Sequence, residues 1–181
     1  MALIGPVLPT GRLHWSCTVS YRVNMTWAEL CNEKRLQDLP YKIELDRFGK
    51  IIMSPTRNIH GYYASEIAQL LKSLMGRGKT LVECAVETAD GTKVTDVAWA
   101  SPKTFAIIKE EMSCSVAPEI CVEVLSPSNQ ANEMEFKKQL YLRAGAQEYW
   151  VCNEDGILRF FTAQGEVEKS VLCPAFPKRL E

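Results

Sequence analysis

The sequence predicts an α/β fold, a mixed β-sheet with helices packed against its faces. Three observations lead there. Strand-length segments occur in pairs around turn-forming residues, as in antiparallel hairpins. One apolar strand, Ile120-Cys-Val-Glu-Val-Leu125, is followed by a helical segment and another strand, the order of a parallel crossover. Between residues 58 and 75 apolar residues recur at steps of three and four, the period of a long helix.

The elements follow in order. Thr26-Trp-Ala-Glu29 has capping-box spacing, so a helix is expected from there to about Leu36, ended by Pro40. Tyr41-Lys-Ile-Glu-Leu45 alternates, Asp46-Arg-Phe-Gly49 is turn-like, and Lys50-Ile-Ile-Met53 resumes an apolar run, which together read as a hairpin. Ile59, Tyr63, Ile67, Leu70 and Leu74 define the expected buried face of the long helix, and Gly76 and Gly78 its stop. Residues 80–86 and 92–100 flank the turn Ala89-Asp90-Gly91, and Pro102 opens a helix toward Met112. After Ser126-Pro-Ser128 a helix is expected over 131–144, capped by Gly145. The strands 148–153 and 157–162 then surround Glu154-Asp-Gly156.

A chain of 181 residues suits one domain, taken as 26–181, after an N-terminal arm of 1–25. Its 46% hydrophobic and 24% charged residues are near the globular average and remove support for disordered and fibrous classes. No apolar run reaches the roughly 20 residues of a spanning helix. Met1 to Gly11 is apolar, but Pro6, Pro9 and the missing basic flank argue against a signal peptide. The seven cysteines are an odd number without a C-x-x-C pair, so reduced thiols and a cytoplasmic location are expected. The formal charge of −1 argues mildly against a dedicated nucleic-acid binder, which usually carries a basic excess.

The carboxylates carry the functional signal, because burying a charge without partners is far more unfavourable than an ordinary contact is favourable. Asp96 sits in Lys93-Val-Thr-Asp-Val-Ala-Trp99 and Glu123 in the most apolar strand of the chain. Side chains two apart share a strand face, so Asp96 lies with Val94 and Ala98, and Glu123 with Cys121 and Leu125. If the strands are neighbours, the two acids converge. Clustered ionised carboxylates need a counter-charge, and hard oxygen ligands favour Mg²⁺ or Mn²⁺. The plain alternative is an ion pair for each acid with a Lys or Arg at a strand end.

The run Pro118-Glu-Ile-Cys-Val-Glu-Val-Leu-Ser-Pro-Ser128, with Lys137, Tyr141, Gly145 and Glu148-Tyr-Trp150 beyond it, resembles the Uma family of restriction-endonuclease-like proteins, a branch of the PD-(D/E)XK nuclease superfamily. Upstream, Tyr41-Lys-Ile-Glu44-Leu, Met53-Ser-Pro55, His60 and Thr95-Asp96-Val97 fall in the family's order, and the resemblance spans about 26–177. It implies a restriction-endonuclease-like fold and a metal-dependent endonuclease hydrolysing DNA. Asp96, Glu123 and Glu44 are then the metal-binding and catalytic acids, and Mg²⁺ or Mn²⁺ the cofactor.

Two positions depart from the superfamily pattern. Thr95 replaces the usual proline, and Leu125 stands where the lysine would be; in this family the lysine is expected on the following helix, where Lys137 matches. A lysine near the attacking water would orient it and stabilise transition-state charge. Taken alone, Lys137 also reads as the partner of Glu133 in an exposed helical ion pair of about 0.3–0.5 kcal/mol. His60 and Tyr141 are candidates for substrate contact, each with a packing alternative. Ser126 and Ser128 read as helix caps or phosphate contacts, and Lys138 is the substitute should Lys137 face away.

The rival readings are a non-catalytic nuclease-fold protein binding nucleic acid or a protein partner, and a purely structural set of ion pairs. Setting Glu44, Asp96 and Glu123 aside leaves 21 basic against 19 acidic groups, or +2. DNA contact should therefore be weak and salt-sensitive, or supported by dimerisation. A homodimer is suggested by Trp99 and the apolar arm.

Overall fold

The computed structural model describes residues 25–126 and 131–181; the N-terminal arm to residue 24, and Ser128, lie outside the described residues. Helix α1 (Trp27–Asn32) opens on the expected capping box: the Thr26 hydroxyl accepts from the Glu29 N–H, and the Glu29 carboxylate accepts from the Thr26 N–H. The helix stops at Glu33, and a 3₁₀ turn, Lys34–Leu36, completes the segment. Strands β1 (Tyr41–Leu45) and β2 (Ile51–Pro55) pair antiparallel as a separate two-stranded sheet. Leu30, Leu45 and Ile51 bury a small core between this hairpin and α1.

The main sheet has six strands in sequential order: β3 (Lys79–Thr88), β4 (Gly91–Ala100), β5 (Ile120–Val124), β6 (Glu148–Cys152), β7 (Leu158–Thr162) and β8 (Gly165–Val167). All neighbours are antiparallel except β5 and β6, which run parallel. That pair is joined by helix α4 (Ala131–Arg143), the expected crossover. Helix α3 (Pro102–Ile108) is shorter than expected. The short β8 extends the last hairpin by a strand that the sequence reading did not include.

Helix α2 (Asn58–Leu74) covers one face of the sheet. Its buried residues are Tyr63, Ile67 and Leu71, packed on Val97, Val122, Trp150 and the C-terminal Phe176 and Leu180. Full burial of an Ile or Leu side chain stabilises by roughly 1.5–3 kcal/mol, so Ile67 and Leu71 anchor this layer. The expected face was rotated: Ile59 and Leu74 are 43% and 41% exposed at the helix ends, while Leu71 is fully buried. The opposite face, with Ala98, Cys121 and Tyr149, is covered by α3 and α4. Five of the six described cysteines are buried free thiols. Trp99, one of the residues that suggested a homodimer, packs its ring over Gly78 and against the α2 core.

The small hairpin is fixed to the large sheet at the β3–β4 turn. Lys93, buried in β4, donates to the Leu45 carbonyl (3.0 Å) and pairs with Asp90 (3.0 Å). Gly91 lies against the backbone of Asp46, has φ +79°, and leaves no room for a Cβ. Gly91→Ala is expected to lower unfolding stability by at least about 2 kcal/mol, since the left-handed backbone alone is unfavourable by roughly 1–2 kcal/mol for an L-residue. Urea denaturation checks this. The displaced hairpin would take Lys42 and Glu44 with it.

Candidate active site

The site forms where the β4–β5 ladder ends. Regular pairing covers Val97–Val122, Ala98–Cys121 and Trp99–Ile120. Continuing this register sets Asp96 opposite Glu123, as the sequence argument requires. Beyond it side chains take over the backbone groups. The Thr95 hydroxyl donates to the Val122 carbonyl (2.7 Å) and accepts from the Val122 N–H (3.0 Å). The Asp96 Oδ2 accepts from the Val124 N–H at 2.7 Å. Buried backbone donors are thus satisfied without a ladder, and Asp96 is held at the strand end. Thr95, where the resemblance leads one to expect proline, stitches β4 to β5 there. On the other side of β4, Glu83 has φ +49° and interrupts the β3–β4 pairing opposite Asp96.

Five charged side chains alternate in sign across this point. Lys42 Nζ lies 2.7 Å from Asp96 Oδ1 and 2.9 Å from Glu123 Oε2. Lys137 Nζ lies 3.4 Å from both Glu123 oxygens and 2.9 Å from Glu44 Oε1, which also accepts from the Val94 N–H. The sequence is therefore Asp96, Lys42, Glu123, Lys137, Glu44, contributed by β4, β1, β5, α4 and β1. All three acids and Lys137 are at most 6% exposed.

The structure places the remaining predicted side chains as follows. Lys137 turns inward, which removes the exposed helical pair with Glu133 as its main role. Lys138 is not the substitute: it pairs with Glu135 at 2.7 Å and lies over the Phe161 ring. Tyr141 is fully buried and donates to Glu123 Oε1 at 2.9 Å, so it stands behind Glu123 instead of facing substrate. His60, at the start of α2, reaches round the strand end to place Nε2 3.1 Å from Asp96 Oδ2. Leu125 lies against the core on the α4 face.

Sequence reasoning missed Lys42. The signal was present: alternation along Tyr41-Lys-Ile-Glu-Leu45 puts Lys42 and Glu44 on the same face of β1. Among the described residues no group of three His, Cys, Asp or Glu side chains is set to hold a metal ion. Two oxygens, Asp96 Oδ1 and Glu123 Oε2, do close on one point, and the Lys42 ammonium is there. Glu44 stands apart, with Lys137 between it and Glu123.

The electrostatics follow from these contacts. Burial alone would raise the Asp96 pKa, but Lys42 and His60 overcome it and hold the group below the ordinary aspartate range. Burial is likewise outweighed at Glu44 by Lys137 and Lys42, which lower its pKa. At Glu123 burial prevails: with Asp96 and Glu44 adding like charge, its pKa is raised despite both lysines. Lys42 and Lys137 are raised because the acids around them outweigh burial.

The hydrogen bond to Asp96 raises the His60 pKa against the opposing effect of burial. A raised histidine contributes stability that is complete below its unfolded pKa, about 6.5, and is lost as pH rises through its higher folded value. The protein should lose stability as pH climbs from 6.5, and His60→Asn should flatten that slope. Urea midpoints measured across the range check it.

The family described as "Putative restriction endonuclease", Uma2, has a model that matches residues 30–177. Among solved structures, a "putative nuclease belonging to DUF820" from Anabaena variabilis ATCC 29413 superposes with a TM-score of 0.67. It shares 19% sequence identity, and the match covers 86% of this chain and 94% of that one. At that identity the likeness speaks to the fold, which is restriction-endonuclease-like. No curated protein matches the sequence. With its specific run Glu123-Val-Leu-Ser126, its inward Lys137 and a family match over most of its length, the chain belongs to the Uma2 family.

Proposed function

We propose that the protein is a metal-dependent endonuclease that hydrolyses DNA phosphodiester bonds at the Asp96–Glu123 site. One observation carries this reading: acids from three strands gather with an inward lysine where the β4–β5 ladder ends. The donor set suits a hard divalent cation, because two carboxylate oxygens already lie within 2.9 Å of a single cationic atom. Asp96 and Glu123 would hold Mg²⁺ or Mn²⁺, which when bound neutralises charge on a phosphate and makes water more acidic.

The chain's own groups do the rest. Glu44, assigned by resemblance as a further ligand, here engages Lys137 and fixes its ammonium beside Glu123. From that position Lys137 can orient an attacking water and stabilise charge developing on the phosphate. Tyr141 positions Glu123 from behind. His60, with 14% of its side chain exposed, is the most accessible group of the set and would meet substrate on the Asp96 side.

Lys137→Met should lower the cleavage rate of a supercoiled plasmid by about 10²-fold, the scale of losing one preorganised donor, while Mn²⁺ binding measured by calorimetry persists. An unchanged rate would reject the assignment. The second reading, a non-catalytic nuclease-fold protein, is favoured by the pairing of the acids with lysines. It expects no divalent-ion binding. Its other sign, Lys137 turned to solvent, is contrary to the buried position of that residue.

A further inference from the structure

We propose that the Lys42 ammonium is the resident counter-ion of the Asp96–Glu123 pair in the metal-free protein and leaves that position when a divalent cation binds. The inference rests on the metal-dependent reading of the same site and adds a residue that reading does not require.

Geometry supplies the first argument. Lys42 Nζ makes charge-assisted contacts of 2.7 Å to Asp96 Oδ1 and 2.9 Å to Glu123 Oε2, with 9% of its side chain exposed. A divalent ion drawing on the same two oxygens at roughly 2.0–2.2 Å would occupy the same space, so the two cations exclude each other. Lys137 is in a different situation. It contacts Glu123 on the Glu44 side, at 3.4 Å, and is anchored to Glu44 at 2.9 Å, so it can stay while Lys42 departs.

Charge supplies the second argument. With the His60 imidazole neutral, three carboxylates against two ammoniums leave the cluster at −1. Adding a divalent cation to the intact set would give +1 in a buried place, whereas exchange for Lys42 gives 0. Release is thus favoured over simple addition.

The strand supplies a route. Lys42 comes from the two-stranded sheet outside the main one, one residue from the start of β1, and its own side chain keeps 9% exposure. A four-carbon stem can carry its ammonium outward without moving the backbone. Once released, the ammonium is free to meet the anionic backbone of a substrate.

Two measurements on the full chain test this. In wild type, acetic anhydride labelling of Lys42, read by peptide mass spectrometry, should rise about tenfold on saturation with Mn²⁺. Buried Lys93, which is bound to Asp90 and Leu45, should not change. By calorimetry, Lys42→Met should bind Mn²⁺ about tenfold more tightly than wild type, since the competing ammonium is gone. Should that variant fail to fold, the wild-type labelling decides alone. Mn²⁺ binding with unchanged Lys42 labelling overturns the exchange and leaves the metal-dependent reading intact. Absence of Mn²⁺ binding in both wild type and Lys42→Met overturns the metal-dependent reading, and this inference with it.

Discussion

Asp96→Asn should reduce divalent-dependent cleavage by about 10³-fold, a loss comparable to removing one of the strongest electrostatic groups of a hydrolytic site. The substitution keeps size and shape but removes the charge that faces Lys42 and His60. It also weakens the acceptor of the Val124 N–H. Removing one member of a buried ion pair typically costs about 3–5 kcal/mol, because the partner is left uncompensated. The variant should therefore be less stable as well as inactive. Circular dichroism at the assay temperature separates the two effects: a folded, inactive variant is the expected result. A folded variant cutting at the wild-type rate would exclude Asp96 from the chemistry.

The second large effect lies on the far side of the sheet. Glu148, in β6, is almost completely buried and receives four hydrogen bonds. They come from the Trp150 indole N–H (2.6 Å), the Ser170 hydroxyl (2.8 Å), and the Val171 and Leu172 N–H groups (both 2.7 Å). This carboxylate ties the C-terminal segment to the sheet and lets Phe176 close over Trp150, with ring centroids 4.7 Å apart. Glu148→Ala would strand these buried donors at about 1–3 kcal/mol each where water cannot replace the acceptor. The expected loss is about 4 kcal/mol in urea denaturation, with Glu148→Gln less affected because one oxygen remains. Neither change touches the acid–lysine cluster, so folded variants should keep their affinity for Mn²⁺.

Glu148 and Glu123 show what a sequence can and cannot reveal about buried acids. Both stand in apolar strands and both belong to the motif that carried the family resemblance. Only the fold separates them: Glu123 meets two ammoniums and a phenol, and Glu148 meets four neutral donors. The main sheet was legible because hairpin turns and the Ile120–Leu125 run constrain pairing locally. The rotation of the α2 face was not, since exposure of Ile59 and Leu74 depends on where the sheet ends beneath the helix.

At the site, the convergence of Asp96 and Glu123 followed from strand periodicity once β4 and β5 were neighbours. The inward turn of Lys137 came from the resemblance; its spacing from Glu133 pointed outward instead. Lys42 was overlooked although it shares a face with Glu44. A strand's alternation shows which residues face together, but not that a separate hairpin will dock over the ladder's end. That docking depends on Gly91 accepting the Asp46 backbone, a contact between segments 45 residues apart in number.

The most direct test of the nuclease assignment is cleavage of a supercoiled plasmid by purified wild-type protein and Asp96→Asn, each with Mn²⁺ and with a chelator in its place. The site described here predicts nicked and linear DNA with wild type and Mn²⁺ alone. Equal cleavage by the variant, cleavage that persists in chelator, or no cleavage by wild type with either Mn²⁺ or Mg²⁺ would contradict it.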